Sequence, residues 1–215
     1  MTEKHKYVGN NLSLDFVNSV SGRTGSNGGR TLDYKILGDK LENYSDLIDW
    51  AHKAGIINDT GAEKFQRLGR ENQKTTHKVY KKAVATREII YRIFISLLKG
   101  DEPDSKDIAI FNRECAAARE HQKLQFDSGE FKWDLELQNE DPAGIIWQIA
   151  LSASELLTSG NLYRVKECCG KDCGWLFLDT SKNGSRQWCS MQDCGNLAKV
   201  RKFRVKKIKP VKKTV

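Results

Sequence analysis

Between residues 75 and 99 the apolar positions Val79, Tyr80, Ala83, Val84, Ile90, Phe94, Leu97 and Leu98 draw one stripe at helical spacing, which predicts a long amphipathic helix ended by Gly100. The same period organises most of the chain before Gly160. "DLIDWAHKA" reads as a short helix with Ser45 as its cap, an acidic first turn that suits the helix dipole, and Gly55 as its stop. Thr60 and Glu63 have capping-box spacing ahead of Phe65 and Leu68. "PDSKDIAIFNRECAAARE" predicts another helix from near Pro103, and Asp141-Pro142 opens one whose Ile145, Ile149, Ala153 and Leu156 face one way. One segment has a different period. In "LQFDSGEFKWDLEL", Phe131, Trp133, Leu135 and Leu137 alternate with Lys132, Asp134 and Glu136 after the turn residues Asp127, Ser128 and Gly129, the pattern of a half-buried β-hairpin. The fold class expected is therefore mainly α: a helical N-terminal domain with a small β-hairpin over 1–160, and a separate small module over 161–215.

Composition adds a compartment and removes some chemistries. A chain of 215 residues with 39% hydrophobics can bury a substantial core. The N-terminal "MTEKHKYVGNNLSLDFVNSV" has no apolar run of signal-peptide or membrane-span length, so a reducing, cytoplasmic setting is expected, with no membrane partner and no structural disulfides. "SGRTGSNGGR" is rich in glycine but lacks the GK[ST] ending of a phosphate-cradling loop, and reads as a connector. His5, His52, His77 and His121 are scattered without a ligand or triad pattern. No enzymatic activity is expected. Asp15 and Asn18 are polar residues inside the apolar "LSLDFVNS", placed either to line a pocket or to bond nearby backbone.

Five of the six cysteines lie in "CCGKDCGWLFLDTSKNGSRQWCSMQDC". Cys168, Cys173, Cys189 and Cys194 stand as CxxxxC, fifteen residues, CxxxxC. Two loops that each offer a thiolate pair, separated by a hairpin-sized insert, suit tetrahedral Zn²⁺; buried metal-free thiols or a disulfide are the alternatives. The insert reads as a strand from Trp175 to Leu178, a turn at Asn183-Gly184 and a return at Gln187 and Trp188. Ser190 and Asp193 then resemble a capping box that puts Cys194 in the first turn of a C-terminal helix, a treble-clef-like order. A four-thiolate site has no open position, so such a zinc would be structural. Cys169 is a rival first ligand, although Cys168 makes the two loops equal. Cys115 lies among alanines as core.

The stretch "CGWLFLDTSKNGSRQWCSMQDCGNLAKVRKFR" resembles the CGNR-type zinc finger, and "NNLSLDFVNSV" with "SDLIDWAHKAGII" resembles the start of the ABATE domain that precedes that finger. The resemblance implies a stress-related bacterial transcription regulator with a helical N-terminal domain and a DNA-binding finger. Leu197 departs from it, because the family motif has arginine at that position.

Charge points the same way. From Asn161 onward there are 14 Lys/Arg against 4 Asp/Glu, a net of +10, which leaves −2 for the rest. Zn²⁺ with four thiolates would bring the module to about +8. "KVRKFRVKKIKPVKK" holds nine Lys/Arg and no acid. On a helix, Lys199, Lys202, Lys206 and Lys209 share one side, while Leu197, Val200 and Phe203 gather on another and can pack on the finger. Double-stranded DNA is the partner expected, with Lys199, Lys202, Lys206, Lys207 and Lys209 on phosphates and Arg186 as a further phosphate contact or an exposed turn residue. Arg201, Arg204 and Asn196 are the candidates for base edges, Asn196 having a structural alternative. The N-terminal domain would sense a small-molecule effector or form a homodimer. RNA or protein binding by the finger is the alternative reading, and an enzyme pocket near Asp15 a remoter one.

Overall fold

The computed structural model of the chain describes residues 4–24, 34–135 and 140–208, the last four of these as backbone only. In chain order the elements are α1 (Leu12–Val17), β1 (Val20–Thr24), β2 (Lys35–Asp39), α2 (Tyr44–Lys53), α3 (Asp59–Glu71), α4 (Gln73–Lys99), α5 (Ser105–Glu120), β3 (Gln122–Asp127), β4 (Glu130–Leu135), α6 (Gly144–Thr158), β5 (Val165–Glu167), β6 (Leu176–Leu178) and α7 (Asn196–Ile208). The strands form antiparallel pairs β1–β2, β3–β4 and β5–β6. The molecule is mainly α, as its apolar periodicity indicates.

Asparagine begins the first four helices. The side chains of Asn11, Asn43, Asn58 and Asn72 each accept a first-turn backbone N–H, so Ser45 and Thr60 lie inside α2 and α3 and do not cap them. Asparagine caps as well as serine does, and in α2, α3 and α4 it sits just ahead of the expected start, whereas α1 was not expected as a helix. At the other end of α4, Gly100 takes the left-handed conformation at φ 78° that closes a helix without a Cβ penalty.

Helix α4 is the axis of the body. Ile89, Ile90, Tyr91, Ile93, Phe94 and Ile95 are all buried, because α1, α2, α3, α5 and α6 pack around that part of the helix. Leu14 and Phe16 of α1, Trp50 of α2, Phe65 of α3 and Ile145 and Ile149 of α6 complete the core. Val165 of β5 and Leu176 of β6 belong to the same core, so apolar packing runs across the 160/161 boundary.

Two expectations about strands are corrected. The β3–β4 hairpin exists, with Leu124 opposite Trp133 and Phe126 opposite Phe131, but it is not half-buried. Leu135 is buried in the small cluster of Ala118, Trp147 and Leu151, Gln122, Trp133 and Asp134 edge a cleft against Gln148 and Glu155 of α6, and residues 123–133 are exposed. Glu136 and Leu137 lie outside the described residues. Of the glycine-rich connector, residues 21–24 form part of β1, and 25–30 lie outside the described residues.

Candidate metal centre and basic helix

The pairing of β5 with β6 builds the first half of the site. Glu167 lies opposite Leu176 and the Cys168 N–H donates to the Trp175 carbonyl at 2.8 Å, so the chain reverses tightly and sets Cys168 and Cys173 side by side. Asp172 and Gly174 take positive φ of 58° and 59° in that knuckle. The second half is the turn from Cys189 to Cys194, where the Ser190 hydroxyl accepts the Asp193 N–H, as capping-box spacing foretold, and hands the chain to α7.

The insert between the halves differs from the expected hairpin. β6 pairs with β5, and Gln187 and Trp188 form no strand; the Gln187 carbonyl accepts from the Cys169 N–H instead. Asp179 organises the loop. Its buried carboxylate accepts from the Ser181 N–H and hydroxyl, the Arg186 N–H and the Lys166 ammonium. The Lys166 bond, with those of Ser181 and Arg186, holds that carboxyl well below the usual carboxylate range.

The sulfurs of Cys168, Cys173, Cys189 and Cys194 all lie within 4.8 Å of one another. Four thiolates at about 2.3 Å from Zn²⁺ have tetrahedral edges of about 3.8 Å. The Cys173–Cys189 and Cys189–Cys194 separations of 3.7 and 3.6 Å are such edges, and far too long for disulfides. The Gly170 and Cys189 N–H groups both point at Cys168 Sγ. Thiol hydrogen bonds from Cys173 and Cys189 pull the Cys168 thiol down, and donating those bonds to Cys168 pushes Cys173 and Cys189 up. Protons alone leave such a cluster frustrated, whereas a divalent cation lets every sulfur ionise. The donor set and its spacing fit a structural zinc. Cys169 is exposed and outside the group, and it is the Cys168 sulfur that converges with the other three.

The N-terminal body buttresses this centre from beneath. Asn18 is buried and brackets Leu176, its amide donating to the Leu176 carbonyl at 2.7 Å and its oxygen accepting the Leu176 N–H at 2.9 Å. The Trp175 indole donates to the Val20 carbonyl, and the Arg23 N–H donates to the Cys173 carbonyl. Lys40 lies over the Trp175 ring, 4.7 Å from its centre. Val20 packs in one cluster with Cys168, Cys173, Phe177 and Cys189. From the same strand the Arg23 side chain runs inward to the Val17 carbonyl and Glu88, over the Tyr91 ring. There Arg87 holds Asp39 through two bonds of 2.7 Å.

The other expected residues separate into two groups. Asp15 accepts from the Gly9 N–H, so both it and Asn18 bond main chain, one of the two roles expected of them. Arg186, expected to meet phosphate, is turned inward: its guanidinium bonds the Val8, Trp188 and Cys189 carbonyls and lies over Phe177. Asn196 donates to the Gln192 carbonyl within its own turn. Lys199, Arg201, Lys202 and Arg204 are exposed on α7, and among the described residues no carboxylate pairs with them. The side chains of Lys206 and Lys207, and all of Lys209, lie outside the described residues. The apolar stripe is not buried as expected, since Leu197, Val200 and Phe203 are exposed on α7. Leu197 instead edges a cleft of about 440 Å³ with Cys169, Lys171, Trp188 and Arg201. The buttress of Val20, Trp175 and Lys40 had no local signal, because its partners are some 150 residues apart in the chain.

Two families of known proteins match the chain. The ABATE family, described as "putative stress-induced transcription regulator", matches residues 10–160, and the CGNR zinc finger matches residues 164–207. No curated protein matches it.

Proposed function

Since this chain belongs to the ABATE family and continues into a CGNR zinc finger, we propose that it is a transcription regulator that binds double-stranded DNA through α7, with a structural zinc held by Cys168, Cys173, Cys189 and Cys194. One observation carries this reading: a helix that presents Lys199, Arg201, Lys202 and Arg204 to solvent begins at Asn196, directly after the turn that holds Cys194, the last of the four clustered cysteines. The metal fixes the chain where the helix begins, so the cations project from a rigid base. Lysine and arginine so displayed neutralise phosphates, and Arg201 and Arg204 have the planar fork that reads guanine edges. Lys171 and Arg201 flank the cleft beside the knuckle, where a sugar-phosphate strand would find donors on both walls. Leu197 offers no donor, which puts recognition on the flanking positions. The buttress under the knuckle gives the helical body, as sensor, a mechanical path to the finger.

The test is binding to a random duplex at two salt concentrations, followed by selection of bound sequences. Four phosphate contacts give a log–log salt slope of about −3.6, hence roughly 10²-fold weaker binding at 200 than at 50 mM. Arg201→Ala or Lys202→Ala is expected to reduce the slope by about 1. No duplex binding at the lower salt, or displacement of duplex by single-stranded RNA, rejects the reading.

A further inference from the structure

The β3–β4 hairpin divides its residues cleanly. Directly opposed residues share a face, so Leu124 with Trp133 and Phe126 with Phe131 lie on one side, continuing the Gln122–Leu135 pair. The pairs Lys123–Asp134, Gln125–Lys132 and Asp127–Glu130 lie on the other, where Gln125 also bonds Asp134. An amphipathic ribbon of this kind normally buries its apolar side. Here Leu124, Phe126, Phe131 and Trp133 are 53%, 65%, 69% and 67% exposed. The Phe126 and Phe131 rings meet only across the ribbon itself, 5.0 Å apart.

We propose that this face is a homodimer interface, covered by the same face of a second copy of the chain. Area and charge select that occupant. Three aromatic side chains of about 150–250 Å² each, two-thirds exposed, together with Leu124, offer roughly 400–500 Å² per copy. Face to face the two copies bury about 800–1,000 Å², close to the 1,000 Å² or so of the smallest specific interfaces. A ribbon face packed on the same face of a second copy about a two-fold axis makes an isologous contact, which a closed dimer requires. The ribbon carries Lys123 and Lys132 against Asp127, Glu130 and Asp134, so its charge is near balance and two copies do not repel. The exposed apolar residues of α7 differ in this respect. Leu197 and Val200 lie among Lys199, Arg201, Lys202 and Arg204, and pairing them would bring eight cations together. A two-stranded ribbon alone is marginally stable in water, and a partner supplies the layer it lacks.

An interface of this size gives a weak, concentration-dependent dimer, in the micromolar range. If the finger reads DNA as proposed, two copies on adjacent half-sites gain from their linkage. The dimer itself does not rest on that reading, and its test contains no DNA. Sedimentation velocity of the whole zinc-loaded protein from about 1 to 200 µM is expected to show a mass that rises from one chain toward two. The double variant Phe131→Ser, Trp133→Ser is expected to dimerise at least tenfold more weakly, with helical content and zinc stoichiometry unchanged because both side chains are exposed. Leu197→Ser is expected to dimerise as the wild type does. A wild type that stays monomeric throughout, or a double variant that dimerises normally, overturns the proposal.

Discussion

Asp15 is a carboxyl that the fold shields from water, and burial pushes it up to about 6 against the pull of the Gly9 and Val8 N–H groups. The sign follows from which state holds the proton. Below about pH 4 the side chain is protonated in both states; between about 4 and 6 the unfolded chain ionises first, so folding loses stability as pH rises, and above 6 the loss is complete. Asp15→Asn keeps an oxygen for the Gly9 N–H and removes the charge. It is expected to be about 1–2 kcal/mol more stable than wild type at pH 8 and nearly equal at pH 4. Urea melts at the two pH values check this, and an equal difference at both rejects it. Comparison with wild type cancels the opposing effect of buried His5, which desolvation lowers to about 4. Arg186 shows the limit of reading at this scale. A turn arginine that braces three carbonyls and one that faces solvent have the same neighbours in sequence.

At the scale of elements, β1 is the part on which body and finger both depend. A Cβ on Gly22 would stand 2.3 Å from the Asp172 carbonyl oxygen, inside the knuckle between the first two ligands. Backbone faces backbone there, so no side chain can swing aside. Gly22→Ala is expected to cost about 2–4 kcal/mol and to speed zinc loss to a chromogenic chelator. Gly38→Ala is the control, because its Cβ would meet only the Ser21 side chain at 3.1 Å. Thermal melts and metal-release rates that leave Gly22→Ala level with wild type would show that β1 is not pressed on the knuckle. Among the elements, α4 was legible because seven turns of apolar period outweigh local noise. The β3–β4 ribbon was legible as a ribbon, since alternation reports a strand, but alternation does not say what covers the apolar face. β5 and β6 are three residues each, too short for period to choose a partner, and the expected pairing of β6 went to the wrong segment.

For the whole molecule, the shared core makes the metal a structural element of the body as well as of the finger. Val165 and Leu176 pack with Leu14, Phe94 and Ile149, and Asn18 brackets Leu176 between its own donor and acceptor. Chelation is therefore expected to lower Tm by about 5 °C or more and to expose the amides of Val20–Thr24 to hydrogen exchange together with those of the finger. Exchange confined to residues 165–204 would mean that the two parts fold separately. Much of this molecule is local and was present in the chain order alone: helical periods for the body, two equal CxxxxC loops for the metal, and unbalanced charge for α7, since each is a matter of spacing between near neighbours. What tertiary structure decided is what distant segments do to each other. It chose Cys168 over Cys169 by where the sulfurs converge, turned Arg186 and Asn18 into braces, joined finger to body through β1, and left the ribbon's aromatic face uncovered. Those outcomes depend on packing between residues far apart in the chain, and no short-range pattern encodes them.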